Sequence, residues 1–384
     1  MRALVIFPAR ARWTPHLVEA PVPRPPRARQ VQVQVEQVGV CPFDHSLLVR
    51  HEGLSPDPER WVVGHEMVGR VTAAGREVRT LKVGDWVIPT LRRSCGVCAP
   101  CAQGYPDECG TNLYAEPGLH RAHGWACQWT LDREEHLIVI SPAIADIALL
   151  AEPLALAIKG AHYLTTVQRR TLPSCSHFEH RWDQPRWAGD KHLLVAGSSV
   201  LTLVTALYLR SLGAQVTLYP TQPLPQALTD LLTRAGITPW ATHKQDNSAV
   251  EQLEPADALV DTSGDLSVVA SLLGRIHFNG AVVLLLAPAP PGRRPHDTNF
   301  SILLLEAVRR NIALVPCYRM GRPHLELAVQ WLQDAMRNPS TALPTLVDKP
   351  SPPGNFAALV RSPASWLKSR ITWAESPSNP SAKV

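Results

Sequence analysis

The sequence predicts an α/β protein made of a β-rich N-terminal region and a parallel sheet with helices on both faces. Three observations carry that expectation. Val31-Gln32-Val33-Gln34-Val35 alternates apolar and polar residues with the period of two of a half-buried strand. From His192 onward, short apolar runs alternate with helix-length stretches, the signature of strands laid side by side in parallel. The chain has 384 residues, enough at about 150 per domain for two domains.

Taken in order, Met1-Arg2-Ala3-Leu4-Val5-Ile6-Phe7 reads as a first strand, its apolar run being too short for a signal-peptide core. Met67 to Ala73 and Asp85 to Pro89, punctuated by Gly75 and Gly84, suit a small antiparallel barrel or sandwich. Residues 165–191, rich in proline, tryptophan and scattered charge, read as a connecting insertion. His192 to Ala196 is a strand ending at Gly197, and Val200 to Leu212 a helix that stops at Gly213, where a left-handed cap is expected. Ala214 to Tyr219, Ala258 to Val260 and Ala281 to Leu286 follow as strands, with helices over Leu266 to Arg275 and Ser301 to Arg310. The polar tail from Glu375 to Val384 is expected to be disordered.

Composition narrows the function. Hydrophobic residues make up 45% and charged residues 18%, a globular balance below the common charge share of about 25%. The net charge of +5 is spread thinly, in pairs such as Arg92-Arg93 and Arg309-Arg310, which gives no basic stripe for nucleic acid. The most apolar region, Leu137 to Ala161, is broken by Asp146, Glu152 and Lys159, so no membrane span is expected. A cytoplasmic, reducing location follows, and there the cysteines serve as ligands or free thiols.

Cys95, Cys98, Cys101 and Cys109 have the spacing C-x2-C-x2-C-x7-C in a loop-like stretch. Four thiolates so close together can converge on one tetrahedral zinc with no open position, a structural site. Spacing alone leaves an iron–sulfur cluster open, while two disulfides fit poorly with a reducing compartment. Cys127, Cys175 and Cys317 have no partners at ligand spacing and read as packing residues. Elsewhere Gly64-His65-Glu66 opens the pattern G-H-E-x2-G-x5-G-x2-V, with Cys41 upstream and Glu152 downstream.

Together these pieces carry a resemblance. Cys41-Pro42-Phe43-Asp44, Gly64-His65-Glu66, Gly84-Asp85-Trp86-Val87, the four-cysteine loop and Leu150-Ala151-Glu152-Pro153 stand in the order seen in zinc-dependent medium-chain alcohol dehydrogenases. Pro89-Thr90-Leu91-Arg92-Arg93, Tyr114-Ala115-Glu116-Pro117-Gly118 and Arg322-Pro323-His324 resemble the glucose dehydrogenase branch. The resemblance covers most of the chain and is poorest between Thr165 and Lys191. It implies a GroES-like catalytic domain over 1–160, completed by 318–384, and a Rossmann-type dinucleotide domain over 161–317. It implies two zinc ions per chain: a structural one on the four cysteines and an open catalytic one on Cys41, His65 and Glu152. Glu66 would be an exchanging ligand and Asp44 the partner that fixes the His65 tautomer. Such an open zinc acts on an alcohol so that its carbon releases hydride to NAD or NADP. Gly197, Ser198, Ser199 and Val200 would cradle the cofactor, with Tyr219, Thr221 and Asn311 also assigned to it. Glu116 and His324 would meet a small-molecule alcohol or sugar. The family further implies a homo-oligomer.

Four departures bear on this assignment. Phe43 stands where the family places a hydroxyl that relays the substrate proton, leaving Ser46, His45 or water to replace it. The turn reads Gly197-Ser198-Ser199-Val200-Leu201-Thr202, keeping only the first glycine of G-x-G-x-x-G. Tyr219-Pro220-Thr221-Gln222 supplies no acid to hold the ribose hydroxyls of NAD, which tilts the reading toward NADP. Leu156 and Met320 replace polar family residues, favouring a less polar substrate than glucose. The leading expectation is thus a zinc-dependent NAD(P)-linked dehydrogenase. The alternative is a catalytically degenerate homologue that binds zinc and serves as a scaffold. A zinc-ribbon module for nucleic acid explains the four cysteines but neither Gly64-His65-Glu66 nor the strand–helix alternation.

Overall fold

A computed structural model describes residues 1–111, 113–169, 182, 187–240, 250–286, 300–338, 341–361 and 366–373. Most of the connecting stretch between 170 and 186, Cys175 and the C-terminal tail lie outside the described residues. The chain divides into two compact units, Met1–Glu152 with Gly321–Val384, and Pro153–Met320.

In the first unit the two larger sheets are antiparallel. Its main sheet runs Leu137–Ile140, Trp86–Pro89, Met67–Ala74, Gln30–Val40 and Ser369–Thr372, and Trp129–Arg133 pairs with the same long central strand. A smaller sheet joins Arg12–Glu19, Arg2–Phe7 and Trp61–Val62. The alternation in the central strand does what its period requires: Val31, Val33 and Val35 are fully buried, packed with Met67, Trp61, Phe356 and Ile371 in one apolar cluster. At about 25 cal/mol per Å2, each such side chain contributes roughly 1.5–3 kcal/mol. The strand Ser369–Thr372 comes from the far end of the chain, with Ser369 opposite Val40 and Arg370 opposite Gly39.

The second unit is a six-stranded parallel sheet. Its order is Ile237–Pro239, Gln215–Pro220, His192–Gly197, Ala256–Asp261, Ile276–Leu284, Ala313–Pro316. Numbered by position in the chain this is 3-2-1-4-5-6, the doubly wound order whose direction reverses between the first and fourth strands. Strands buried on both faces need continuous rather than alternating apolar residues, and Leu193 to Ala196 are indeed all fully buried. The helix Val200–Ser211 ends as its sequence requires, with Gly213 at φ +102° and its N–H bonded to the Arg210 carbonyl at 2.9 Å. Among the described residues no helix is long and apolar enough to cross a membrane.

Glu134 fastens the first unit's loops. Only 2% exposed, its carboxylate accepts from the N–H groups of Arg79 and Thr80 at 2.8 and 2.9 Å, the Thr80 hydroxyl at 2.8 Å and Arg29 Nε at 2.8 Å. Those backbone N–H groups, then Arg29 and the hydroxyl, bring its pKa down to about 2. A carboxylate depressed in the folded state stabilises fully above its unfolded value of about 4.3 and loses that contribution as pH falls toward the folded value. The melting temperature of E134Q, followed by circular dichroism, should therefore lie below wild type at neutral pH, with the gap closing as pH approaches 2. A gap independent of pH would refute this role.

Candidate active site

The site begins at a helix N-terminus. Cys41 caps the helix Pro42–Arg50, and Pro42 suits the first helical position because its missing N–H would have no partner there. The Phe43 N–H donates to Cys41 Sγ at 3.4 Å, and Asp44 reaches back so that Oδ2 accepts the Cys41 N–H at 3.0 Å. This is a capping box with a thiol in place of a hydroxyl. The other Asp44 oxygen, Oδ1, lies 3.1 Å from His65 Nδ1. An ionised carboxylate only accepts, so Nδ1 carries the proton and Nε2 faces the thiol, 3.1 Å from Cys41 Sγ.

Each group's titration follows from burial and these contacts. Burial alone would lower the His65 pKa, but Asp44 and then Cys41 outweigh it and hold the imidazole well above its usual range. Burial pushes the Cys41 thiol up, with His65 opposing. Glu66 is 4% exposed, with Oε1 3.8 Å from His65 Nε2 and 2.6 Å from Lys368 Nζ.

Cys41, His65 and Glu66 thus present three donor atoms within 4.8 Å of one another. A thiolate, an imidazole whose second nitrogen is tied to a carboxylate, and a nearby carboxylate are the donor types that bind zinc with a position left open. Glu152 is not in this trio. It lies half-buried in the first turn of the helix Ala151–Gln168, and acts on the Lys368 charge along with Glu66 and Cys41.

The four cysteines also converge. Sγ separations are 3.3 Å for Cys98–Cys101, 3.9 Å for Cys95–Cys101 and 4.0 Å for Cys98–Cys109. With zinc–sulfur bonds of about 2.3 Å, a tetrahedron has edges of about 3.8 Å, so the set fits that ion. All four are free thiols. Thr111, then the Val97 and Cys98 N–H groups, brings Cys95 down to about 6, whereas burial pushes Cys101 up to about 11.

In the second unit, Gly197 holds φ +146°, and a Cβ there would overlap the Thr262 hydroxyl and lie 2.7 Å from that of Thr202. The two family glycines that are missing leave hydroxyls behind. The Ser199 N–H donates to Thr202 Oγ1 at 3.1 Å, Thr202 Oγ1 lies 2.7 Å from Thr262 Oγ1, and the latter donates to the Ala196 carbonyl at 2.7 Å. Thr202 is fully buried. Ser198 Oγ accepts the Gln222 N–H at 2.7 Å and lies 2.8 Å from Thr221 Oγ1. Val200 starts the helix, and Tyr219 is half-buried near the end of the adjacent strand.

Asn311 does not join this group. It sits at φ +54° before the strand Ala313–Pro316, bonded to Asn279 Oδ1 at 2.6 Å. In a parallel sheet that is the amino end, opposite the carboxyl end where Gly197 lies. Glu116, 2% exposed, has its carboxylate held by Arg92 at 2.9 Å through Nε and 2.8 Å through Nη2. His324 is half-buried near the start of the helix Arg322–Ala335. Sequence reasoning missed Lys368 and Thr262, since an isolated lysine and an isolated threonine carry no motif.

Comparison with known proteins decides the family. The alcohol dehydrogenase GroES-like domain matches residues 27–142. A glucose 1-dehydrogenase of Metallosphaera sedula is 30% identical over 258 residues, 66% of this chain and 67% of that one. The chain belongs to the zinc-dependent medium-chain dehydrogenases. Glucose 1-dehydrogenase of Methanocella arvoryzae is 29% identical to this dehydrogenase over 340 residues, 88% and 89% of the two chains. The fold matches that of Haloferax mediterranei glucose dehydrogenase in complex with NADP, Zn and gluconolactone, with TM-score 0.80 and 22% identity over 98% of this chain and 100% of that one. The two-part α/β architecture read from sequence is thus the family's, and the protein is an oxidoreductase.

Within this medium-chain dehydrogenase, Asp44 both caps a helix and orients His65. D44A should lower zinc affinity about 10- to 100-fold and cost about 1 kcal/mol of stability from the lost cap. Chelator competition and thermal melts read the two effects. Unchanged zinc affinity would refute the orienting role.

Proposed function

We propose that this dehydrogenase moves a hydride between NAD(P) and a sugar, polyol or alcohol hydroxyl at a zinc centre built on Cys41 and His65. The Cys41–Asp44–His65 arrangement carries the reading, because it fixes one sulfur and one imidazole nitrogen toward a common point. Glu152 supplies a third ligand, and a second zinc sits on Cys95, Cys98, Cys101 and Cys109. The unit Met1–Glu152 with Gly321–Val384 is the catalytic domain, and Pro153–Met320 is the dinucleotide domain.

When bound, the catalytic zinc polarises the substrate oxygen, and the nicotinamide exchanges the hydride. Cys41 and His65 would hold that ion, with Asp44 on His65 Nδ1 leaving Nε2 to face it. Gly197 gives the backbone close access to phosphate, and the N-terminus of Val200–Ser211 adds its partial positive charge. The end of Gln215–Pro220 carries no carboxylate to repel a 2′-phosphate, which supports NADP over NAD. Phe43, whose ring stands edge-on to His65 at 6.2 Å and 86°, brings no hydroxyl to relay the substrate proton, and Leu156 and Met320, which replace polar family residues, make the substrate less polar than glucose. Glu116 and His324 serve substrate contact in this reading.

The scaffold alternative has no observation in its favour. Phe43 leaves the Cys41–Asp44–His65 bonds intact, and Ser199 and Thr202 are built into their turn. Free thiols suit a reducing cytoplasm. Exposed Leu304, Leu305 and Val308 offer apolar surface for a homo-oligomer.

Elemental analysis of the purified chain should give two zinc ions, and C41S and C98S one each. NADP-dependent oxidation of an alcohol and sugar panel should exceed the NAD-dependent rate. C41S should lose turnover by on the order of 1,000-fold, the several kcal/mol that a metal contributes. A wild-type protein with no zinc and no activity on any member of the panel would end this assignment.

A further inference from the structure

We infer that Arg92 and Asp107 are positioning residues for the substrate: one guanidinium and one carboxylate, both at the four-cysteine loop, seat Glu116 and the start of the helix that carries His324. The inference rests on the reading of Glu116 and His324 as substrate contacts, and it gives that loop a part in substrate selection.

Arg92 divides its donor fork between two neighbours. Nε donates to Glu116 Oε1 at 2.9 Å, with Nη2 2.8 Å from the same oxygen, and Nη1 donates to the Asp107 carbonyl at 2.8 Å. The guanidinium also lies 3.9 Å over the Tyr114 ring. The Arg92 and Glu116 side chains are only 9% and 3% exposed, so water competes little for these bonds. A planar fork has fixed donor directions, so it sets the Glu116 carboxylate against the backbone of Asp107.

Asp107 passes that placement on. It lies between Cys101 and Cys109 and is 6% exposed. Its side chain reaches the helix Arg322–Ala335, whose cap Gly321 has no side chain to accept the first N–H groups. A Cβ on Gly321 would lie 2.6 Å from Asp107 Oδ1 and 3.1 Å from its Cγ, so the Asp107 carboxylate stands where a capping side chain would stand. Gly321 has φ −89° and ψ 171°, extended backbone that any residue adopts. The glycine is thus needed for the room it leaves and not for its backbone freedom. A carboxylate there meets the positive end of the helix, and His324 belongs to that first turn. One chain of contacts, Glu116 to Arg92 to Asp107 to the helix start, therefore joins two residues that are remote in sequence.

Glycerol and n-propanol, equal in carbon number, separate this role from a structural one, because only glycerol has hydroxyls beyond the reacting one. On the full-length chain with NADP, the ratio of kcat/KM for glycerol to that for n-propanol should fall about tenfold in R92K and in D107A, the loss of about one buried hydrogen bond. A lysine cannot hold two acceptors in a fixed geometry. The loss should lie in KM and not in kcat, and the dissociation constant of glycerol on the NADPH-bound chain, read by calorimetry, should rise by the same factor. D107N, which still caps a helix, should keep the ratio within about threefold of wild type. G321A should lower the ratio as D107A does, and D107A/G321A no further, since the added methyl then fills vacated space. That pair stands even if R92K does not fold. An unchanged ratio in R92K and D107A, a loss in kcat in place of KM, or G321A and D107A losses that add would each overturn the proposal. H324A and E116Q test the reading beneath it: if neither lowers the ratio or weakens glycerol binding, or if wild type neither binds nor oxidises glycerol, that reading fails and the inference with it. Responsive H324A and E116Q beside unresponsive R92K and D107A sink the inference alone.

Discussion

One carboxylate holds the active site together. Asp44 accepts the Cys41 N–H with one oxygen and faces His65 Nδ1 with the other, so the geometry of a helix start and the tautomer of a histidine are the same fact. Neither alone would place a sulfur and an imidazole nitrogen 3.1 Å apart. The helix needs a cap because its first N–H groups have no internal partner. The histidine needs a fixed proton because a ring free to flip offers a donor as readily as an acceptor. Asp44 is fully buried, so both bonds act without competing water, where a charge-assisted hydrogen bond is strongest.

Around that pair the protein accepts a cost. A buried lysine and glutamate give up their hydration, and a well-packed apolar pair of similar volume is often as stable or more so. Stability therefore does not explain Glu66 and Lys368, nor the glycine at 39 that makes room for them. The Glu134 network is the opposite case: its carboxylate meets four donors and joins loops, a structural use of buried charge.

The legible part of the molecule was whatever lay close together in the chain. Four cysteines within fifteen residues announce one metal from spacing alone, and alternating valines announce a strand. Asp44 was legible only through the resemblance, as part of Cys41-Pro42-Phe43-Asp44. Lys368 was not: it is 302 residues from Glu66 and arrives by strand pairing that leaves no mark in a single sequence. The helices and strands of the second unit named from sequence fall within a few residues of their places, whereas Gln226–Arg234, Ile237–Pro239 and Ala313–Pro316 were not read, and Ile276–Leu284 begins well before the Ala281 at which its apolar run starts, because a β-bulge and the left-handed Asn279 interrupt it. Asn311 was assigned by resemblance, and resemblance does not register which end of a strand a loop occupies. Glu116 reads as a polar group awaiting a ligand until Arg92 is seen on it.

The dinucleotide turn shows why counting glycines misleads. Two of three are gone, yet the strand, turn and helix meet as the order 3-2-1-4-5-6 requires. The third glycine ordinarily lets helix and strand pack closely. Here Thr202 fills that space and joins the backbone N–H of Ser199 to the Ala196 carbonyl through Thr262, across the point where the strand order reverses. A buried hydroxyl is tolerated only when bonded, since leaving one unpaired costs about 1–3 kcal/mol. Thr202 and Thr262 must therefore be kept or lost together, and a substitution at either is felt at both. Gly197 alone cannot change, because any Cβ would collide with both hydroxyls. The surviving glycine and the introduced threonines are one solution to a single packing problem, which is why the motif can lose most of its letters while the turn keeps its shape.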